Sequence, residues 1–145
     1  MKHNKLLQAL VATLAFGAAG HALAHGDVTP QAVNTSELEQ LGTTWRDANP
    51  YRKPYAKNDK AIEIGHSAYT QNCARCHGLD AISGGIAPDL RKLDAGIEGD
   101  EWFKERVING AVRDGRVYMP RMADYLSQEA LWAIRSYLES KHVED

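Results

Sequence analysis

"TQNCARCHGLD", Thr70 to Asp80, holds both cysteines of the chain, Cys73 and Cys76, with His77 directly after them. Two cysteines two residues apart can form a redox dithiol, supply half of a zinc site, or anchor a cofactor. The choice decides the fold. A cofactor anchored here must be enclosed by the chain, whereas a dithiol or a zinc half-site would need partners elsewhere in the sequence.

The rest of the chain narrows the choice. At 145 residues it is long enough for one domain with a core. It opens on a short basic stretch, "MKHNK", then an apolar run, "LLQALVATLAFGAAG", then "ALA" at Ala22 to Ala24. That order reads as a secretory signal peptide over 1–24, cleaved between Ala24 and His25. The apolar run is short of the roughly 20 residues of a spanning helix, so removal is expected rather than retention as a membrane anchor. Of 17 basic residues Lys2 and Lys5 leave with it, so 15 face 19 acidic ones, a net charge of −4. A mildly acidic protein is a poor ligand for nucleic acid or anionic membranes and is compatible with docking on other proteins. His25, as the first mature residue, could hold copper through its α-amine and imidazole, although the simpler reading is a polar terminus.

Export raises the prior for a disulfide. A bridge across two intervening residues, however, restricts little of the unfolded chain. No further cysteine completes a zinc site. A dithiol of the thioredoxin type needs a βαβ setting, and no segment here sustains period-two alternation.

The patterning is helical instead. Residues 25–57 form an N-terminal arm rich in aromatics and turn-formers, with Pro50 and Pro54 breaking it and a short helix expected over "SELEQLG" (36–42). From Asn58 to about Asn72, Ile62, Gly65, Ala68 and Tyr69 recur at helical steps. "GLDAISGGIAPDL" is loop, with a short helix expected over Leu90 to Leu93. A second helix begins near Gly99 or Asp100 and stops at Gly110, and "RDGRVYMPRMADY" reads as extended loop. Ser127 caps a last helix carrying Leu131, Ile134 and Leu138 as its apolar stripe. The expected fold is all-α, with three main helices, long glycine-rich connections, and a core too thin to close without something else in its middle.

C-x-x-C followed at once by His is the attachment sequence for c-type haem. Cys73 and Cys76 would form thioethers with the two vinyl groups on one edge of the ring, and His77 would reach under it to bind iron. The ligand on the other face decides the function, since an open face permits ligand chemistry and a second strong ligand makes an electron carrier. After cleavage the methionines are Met119 and Met122, and the other histidines are His25, His66 and His142. His66 and His142 are expected to face solvent. Met119, in "RVYMPRM", lies 42 residues past His77, far enough to reach the opposite face, and Pro120 biases it to an extended backbone. A methionine is more often a core gap-filler, but elimination among the ligands favours Met119 as the distal axial ligand, with Met122 packing near the ring. Ile86, Leu90, Tyr118 and Ile134 are expected to wall the ring, and Arg91, Arg113 or Trp102 to meet the haem propionates.

Over roughly residues 58–142 the chain resembles class I c-type cytochromes, which implies their fold around one covalent haem c. "CARCH" is similar to their haem motif, "GGIAPDL" to the loop whose proline contacts the proximal histidine, "YMP" to the axial-methionine loop, and "LSQEALWAIRSYL" to the final helix. The resemblance implies Pro88 as carbonyl acceptor for His77, Met119 as ligand by its seven-residue spacing to Leu126, and a close crossing of first and last helices at Gly65 and Tyr137. The arm "HGDVTPQAV…LG…WR…NPYR" and the domain together resemble the cytochrome c-550 group, electron acceptors of pyrroloquinoline quinone (PQQ)-dependent alcohol dehydrogenases. That likeness implies such an enzyme as electron donor, a downstream cytochrome or terminal oxidase as acceptor, a periplasmic location, and a cytochrome domain at 58–145.

One-electron transfer is therefore the expected function, with no catalytic acid, base or nucleophile. Methionine as sixth ligand raises the potential relative to two histidines, and partners would dock through a small, transient contact. Two other classes remain open on the residues alone: a haem enzyme or gas or redox sensor with a displaceable sixth ligand, and a non-haem exported module with a small CxxC metal site.

Overall fold

Glycine at position 65 determines how the two longest-range helices meet. The computed structural model describes residues 30–144; the expected signal peptide, its cleavage point and His25 lie outside the described residues. Helix α1 (Asn58–Asn72) buries Ala61, Gly65, Ala68 and Tyr69 on one face. That face packs on the last helix, α4 (Gln128–Ser140). A Cβ built on Gly65 would fall onto the backbone carbonyl of Ala133, so no other residue permits this approach. One turn further along, Tyr137 of α4 stacks on His66 (ring centroids 4.9 Å apart) and meets Tyr69 at 5.3 Å. The small residue and the aromatic thus act at successive turns of the same crossing.

Two further α-helices lie between them among the described residues. Helix α2 (Ala74–His77) is a single turn, and α3 (Ile97–Asn109) runs from two residues before the expected start to the expected stop at Gly110, whose φ of 69° ends it. The segment 90–92 is a 3₁₀ turn capped by Asp89. Ser127 caps α4 as expected, its hydroxyl accepting the N–H of Ala130.

Three expectations need correction. The stretch "RDGRVYM" is not open loop but part of an antiparallel hairpin, β1 (Ala111–Arg113) with β2 (Arg116–Met119). Its turn, Asp114-Gly115, has φ of 49° and 73°, the two left-handed residues that tight hairpin turns demand. The strands are too short for alternation to be seen, which is why the all-α reading omitted them. The helix expected at 36–42 is a single turn, closed by Leu38 N–H to Thr35 O. Its remaining backbone groups are claimed by side chains: Gln40 Nε2 donates to the carbonyls of Thr35 and Leu38, and Glu129 Oε1 accepts from Leu41 N–H at 2.7 Å. His142 does not face solvent. It is half-buried, with Nδ1 3.0 Å from Arg91 O and 3.1 Å from Leu93 O.

The arm explains why α4 has no solvent face from Gln128 to Leu138. Trp45 packs edge-on to Trp132, Gln128 donates to the carbonyls of Gly42 and Thr44, and Asn49 Nδ2 donates to Ser136 Oγ. Asp100 of α3, fully buried, accepts from Arg135 Nε, from Arg52 Nη2 and from Asn49 N–H, all within 2.8 Å. One carboxylate therefore joins α3, α4 and the arm, and the pairing offsets part of the cost of burying these charges, although Arg135 Nη1 has no hydrogen-bond partner among the described residues. Burial of Leu131, Ile134 and Leu138 adds roughly 1.5–3 kcal/mol apiece.

Replacing Gly65 with Ala should cost about 2 kcal/mol in denaturant unfolding, because the added methyl forces α1 and α4 apart. Stability equal to that of the native protein would show that the crossing is looser than described.

Candidate haem-binding site

Cys73 is the hinge between two helices. Its N–H closes α1 on Tyr69 O at 2.8 Å, and its own carbonyl starts the next turn by accepting from Cys76 and His77. The two thiols and the imidazole are thereby presented from one helical turn. Both cysteines are free; Cys73 is half-buried and Cys76 exposed. Burial, with a smaller contribution from Cys76, pushes the Cys73 thiol up to about 12.

After His77 the chain reverses sharply. Gly78, Asp80 and Ala81 all take left-handed conformations, with φ of 83°, 55° and 63°. Strained residues of this kind persist only where their surroundings hold them. Tyr69 Oη donates to Gly78 O at 2.8 Å, and Tyr137 Oη lies 3.4 Å from Asp80 Oδ1, with Lys141 Nζ at the same distance. Burial raises the Tyr69 phenol well above its usual range, so it stays a donor. The crossing of α1 and α4 thus sets the position of the turn that follows His77.

The imidazole is oriented from the other side by Pro88, whose carbonyl lies 3.0 Å from His77 Nδ1. A carbonyl can only accept, so Nδ1 carries the proton and Nε2 keeps its lone pair for a metal. Around the proline, Asp89 forms a fork with Arg91, Nη2 to Oδ2 at 2.7 Å and Nε to Oδ1 at 3.0 Å. Those bonds hold the Asp89 carboxyl far below the usual carboxylate range. A cleft of about 360 Å³ opens beside Pro88 and is walled in part by Leu90, Leu93 and Trp102.

Met119 ends β2 opposite Ala111 and is half-buried against the core. Gly110 approaches its carbonyl so closely that a Cβ there would stand 2.5 Å away. Met122 is 6% exposed and belongs to the core itself. Of the four residues expected to wall a ring, Leu90 and Ile134 are buried, while Ile86 and Tyr118 are 80% and 62% exposed on the polypeptide. Among the propionate candidates, Arg91 is paired with Asp89, Arg113 lies over the Tyr118 ring at 5.6 Å, and Trp102 is overlain by Arg106 at 5.3 Å.

Sequence reasoning missed the Ser83, Asp89 and Arg91 contacts around Pro88 and the burial of Asp100 and Arg135. The one signal for Arg135 was its place directly after Ile134 of the apolar stripe.

The donor set fits haem c. Two free thiols and one imidazole with an available Nε2 stand on a single turn. Among the described residues no group of three or more His, Cys, Asp or Glu gathers as a zinc site would require. No helix of the described residues is long and apolar enough to cross a membrane.

Comparison with known proteins points the same way. The family model described as cytochrome c oxidase, cbb3-type, subunit III matches residues 60–138. The chain is 70% identical to cytochrome c550 of Pseudomonas aeruginosa over 145 residues, the whole of both chains. It is 41% identical over 88 residues to quinohemoprotein alcohol dehydrogenase ADH-IIG of Pseudomonas putida, which is 60% of this chain but 12% of that enzyme. Cytochrome c6 of Bryopsis maxima is 32% identical over 77 residues, 53% of this chain and 88% of the relative. No solved structure is a significant match. An end-to-end relative at that identity, together with a family model spanning more than half of the residues, decides the matter: the chain belongs to the cytochrome c family, as a mono-haem electron-transfer protein with covalently bound haem c and not an enzyme.

Proposed function

We propose that the chain is a soluble periplasmic cytochrome that accepts single electrons from a PQQ-dependent alcohol dehydrogenase and passes them to a downstream cytochrome or terminal oxidase. The observation that carries the donor is the likeness to quinohemoprotein alcohol dehydrogenases, where a segment 41% identical to this domain lies within the chain of the enzyme. The sequence that carries this unit here is matched from end to end by another cytochrome. On this reading residues 1–24 direct export and are removed, 25–57 form the arm, and 58–145 form the cytochrome domain.

Cys73 and Cys76 would hold the cofactor as thioethers, and His77 and Met119 would bind its iron, with Pro88 as acceptor for His77. Bound haem c supplies the one-electron Fe(III)/Fe(II) couple. With His77 and Met119 both occupied in holding the iron, the chain would offer it no open position for a substrate. His77 is suited to its role because its Nδ1 proton is held by Pro88 O, which fixes the ring and strengthens donation from Nε2. Met119 is suited because its backbone is pinned between Gly110 and Pro120 while its side chain is only half-buried. Met122, sunk in the core, has no such freedom. A thioether as distal ligand favours the ferrous state.

Replacing Cys73 or Cys76 with Ala should each remove one thioether, visible as a shift of the reduced pyridine haemochrome band. The double variant should release its haem to acidic acetone. Covalent haem surviving both changes would refute the attachment site. Mixing the oxidised cytochrome with a PQQ alcohol dehydrogenase and an alcohol should reduce it in an alcohol-dependent way. Failure with every such enzyme tried, in a cytochrome that other reductants reduce readily, would refute the donor and leave the electron carrier standing.

A further inference from the structure

We propose that Ser83 and Asp89 are positioning residues, a polar clamp that fixes the Pro88 carbonyl against His77 and so sets how strongly the imidazole donates to iron. The inference rests on the reading of His77 as an axial ligand. Pro88 is exposed and sits on a loop with little packing to hold it: at Gly84 and at Gly85 an added Cβ would meet nothing. Rigidity must come from polar contacts, and these converge on the two residues that flank the proline. On one side, Ser83 Oγ donates to Ala87 O at 2.5 Å and accepts from Gly85 N–H at 3.0 Å. On the other, Asp89 accepts from Arg91 N–H at 3.1 Å and from the Arg91 guanidinium, and its Oδ2 lies 3.4 Å from Ser83 N–H.

The accepting carbonyl belongs to the Pro88–Asp89 peptide. Proline fixes its own φ and donates nothing, so the tilt of that peptide depends on how Asp89 is held. Arg91 anchors the clamp in turn, since its carbonyl accepts Val143 N–H at 3.0 Å and lies 3.0 Å from His142 Nδ1. This ties the loop to the end of α4. A firm bond from Nδ1–H to a carbonyl makes the imidazole a better donor at Nε2 and stabilises Fe(III). Loosening the clamp must therefore raise the reduction potential.

The test uses the haem-loaded protein with Ser83→Ala and Asp89→Asn, the first neutral and the second nearly isosteric. Midpoint potential and hydrogen–deuterium exchange of the His77 Nδ1 proton are measured by voltammetry and NMR. Both variants should shift the Fe(III)/Fe(II) ratio toward Fe(II) by about threefold at fixed potential, within what one hydrogen bond contributes, and both should exchange the Nδ1 proton faster. A potential that moves in Asp89→Asn alone, with exchange unchanged, would identify a simple charge effect and overturn the clamp. No change in either variant would also overturn it. Should the native protein show no iron-bound His77 imidazole resonances, the ligand reading fails first and the clamp with it.

Discussion

Everything that places the site follows from the contact of α1 and α4 at Gly65. Because no side chain intervenes, the two backbones touch at Ala133, and the residues one turn on are brought into ring contact. Tyr69 then reaches Gly78 and Tyr137 reaches Asp80, so the strained turn after His77 is held from both helices. The helix that ends in Cys73 and the turn that ends in His77 are thus referenced to the C-terminal helix before any cofactor is considered. Larger residues at position 65 would move the attachment turn and its supports apart together.

The arm and the buried ions stabilise the opposite side of α4. Asp100, shared between Arg52 and Arg135, is weak evidence for stability by itself, since buried ion pairs seldom exceed their desolvation cost by much. Its value is directional. An apolar cluster could hold α3, α4 and the arm in several registers, whereas one carboxylate on α3 with donors from α4 and the arm accepts one arrangement. Glu129 and Gln128 act likewise on the arm, binding the Leu41 N–H and the carbonyls of Gly42 and Thr44. The family model stops short of the arm at residue 60, yet the last helix of the matched region owes its complete burial to it.

Helix α1 could be read to its last residue, because small and aromatic residues recur at helical spacing and Cys73 marks a change of direction. Ser127 and Gly110 announced the ends of the later helices through side-chain capping and positive φ. The motif around His77 was legible for a chemical reason: few arrangements use Cys-x-x-Cys-His. What remained hidden depends on contacts distant in sequence. Gln128, Glu129, Arg135 and Ser136 look like a solvated face until the arm is laid over them. The hairpin was hidden by its brevity, although Asp114-Gly115 carried its turn. The clamp around Pro88 looked like flexible loop because Ser, Gly and Asp suit loops whether or not they bind each other.

The central claim is that the domain closes on iron through Met119 and not Met122. In the reduced, diamagnetic protein a methionine bound to haem iron has its methyl resonance displaced far upfield by the ring current. One-dimensional NMR of the reduced protein should show that signal in the native chain and in Met122→Ala, and lose it in Met119→Ala. The reverse pattern, or a signal that survives both substitutions, would contradict the account.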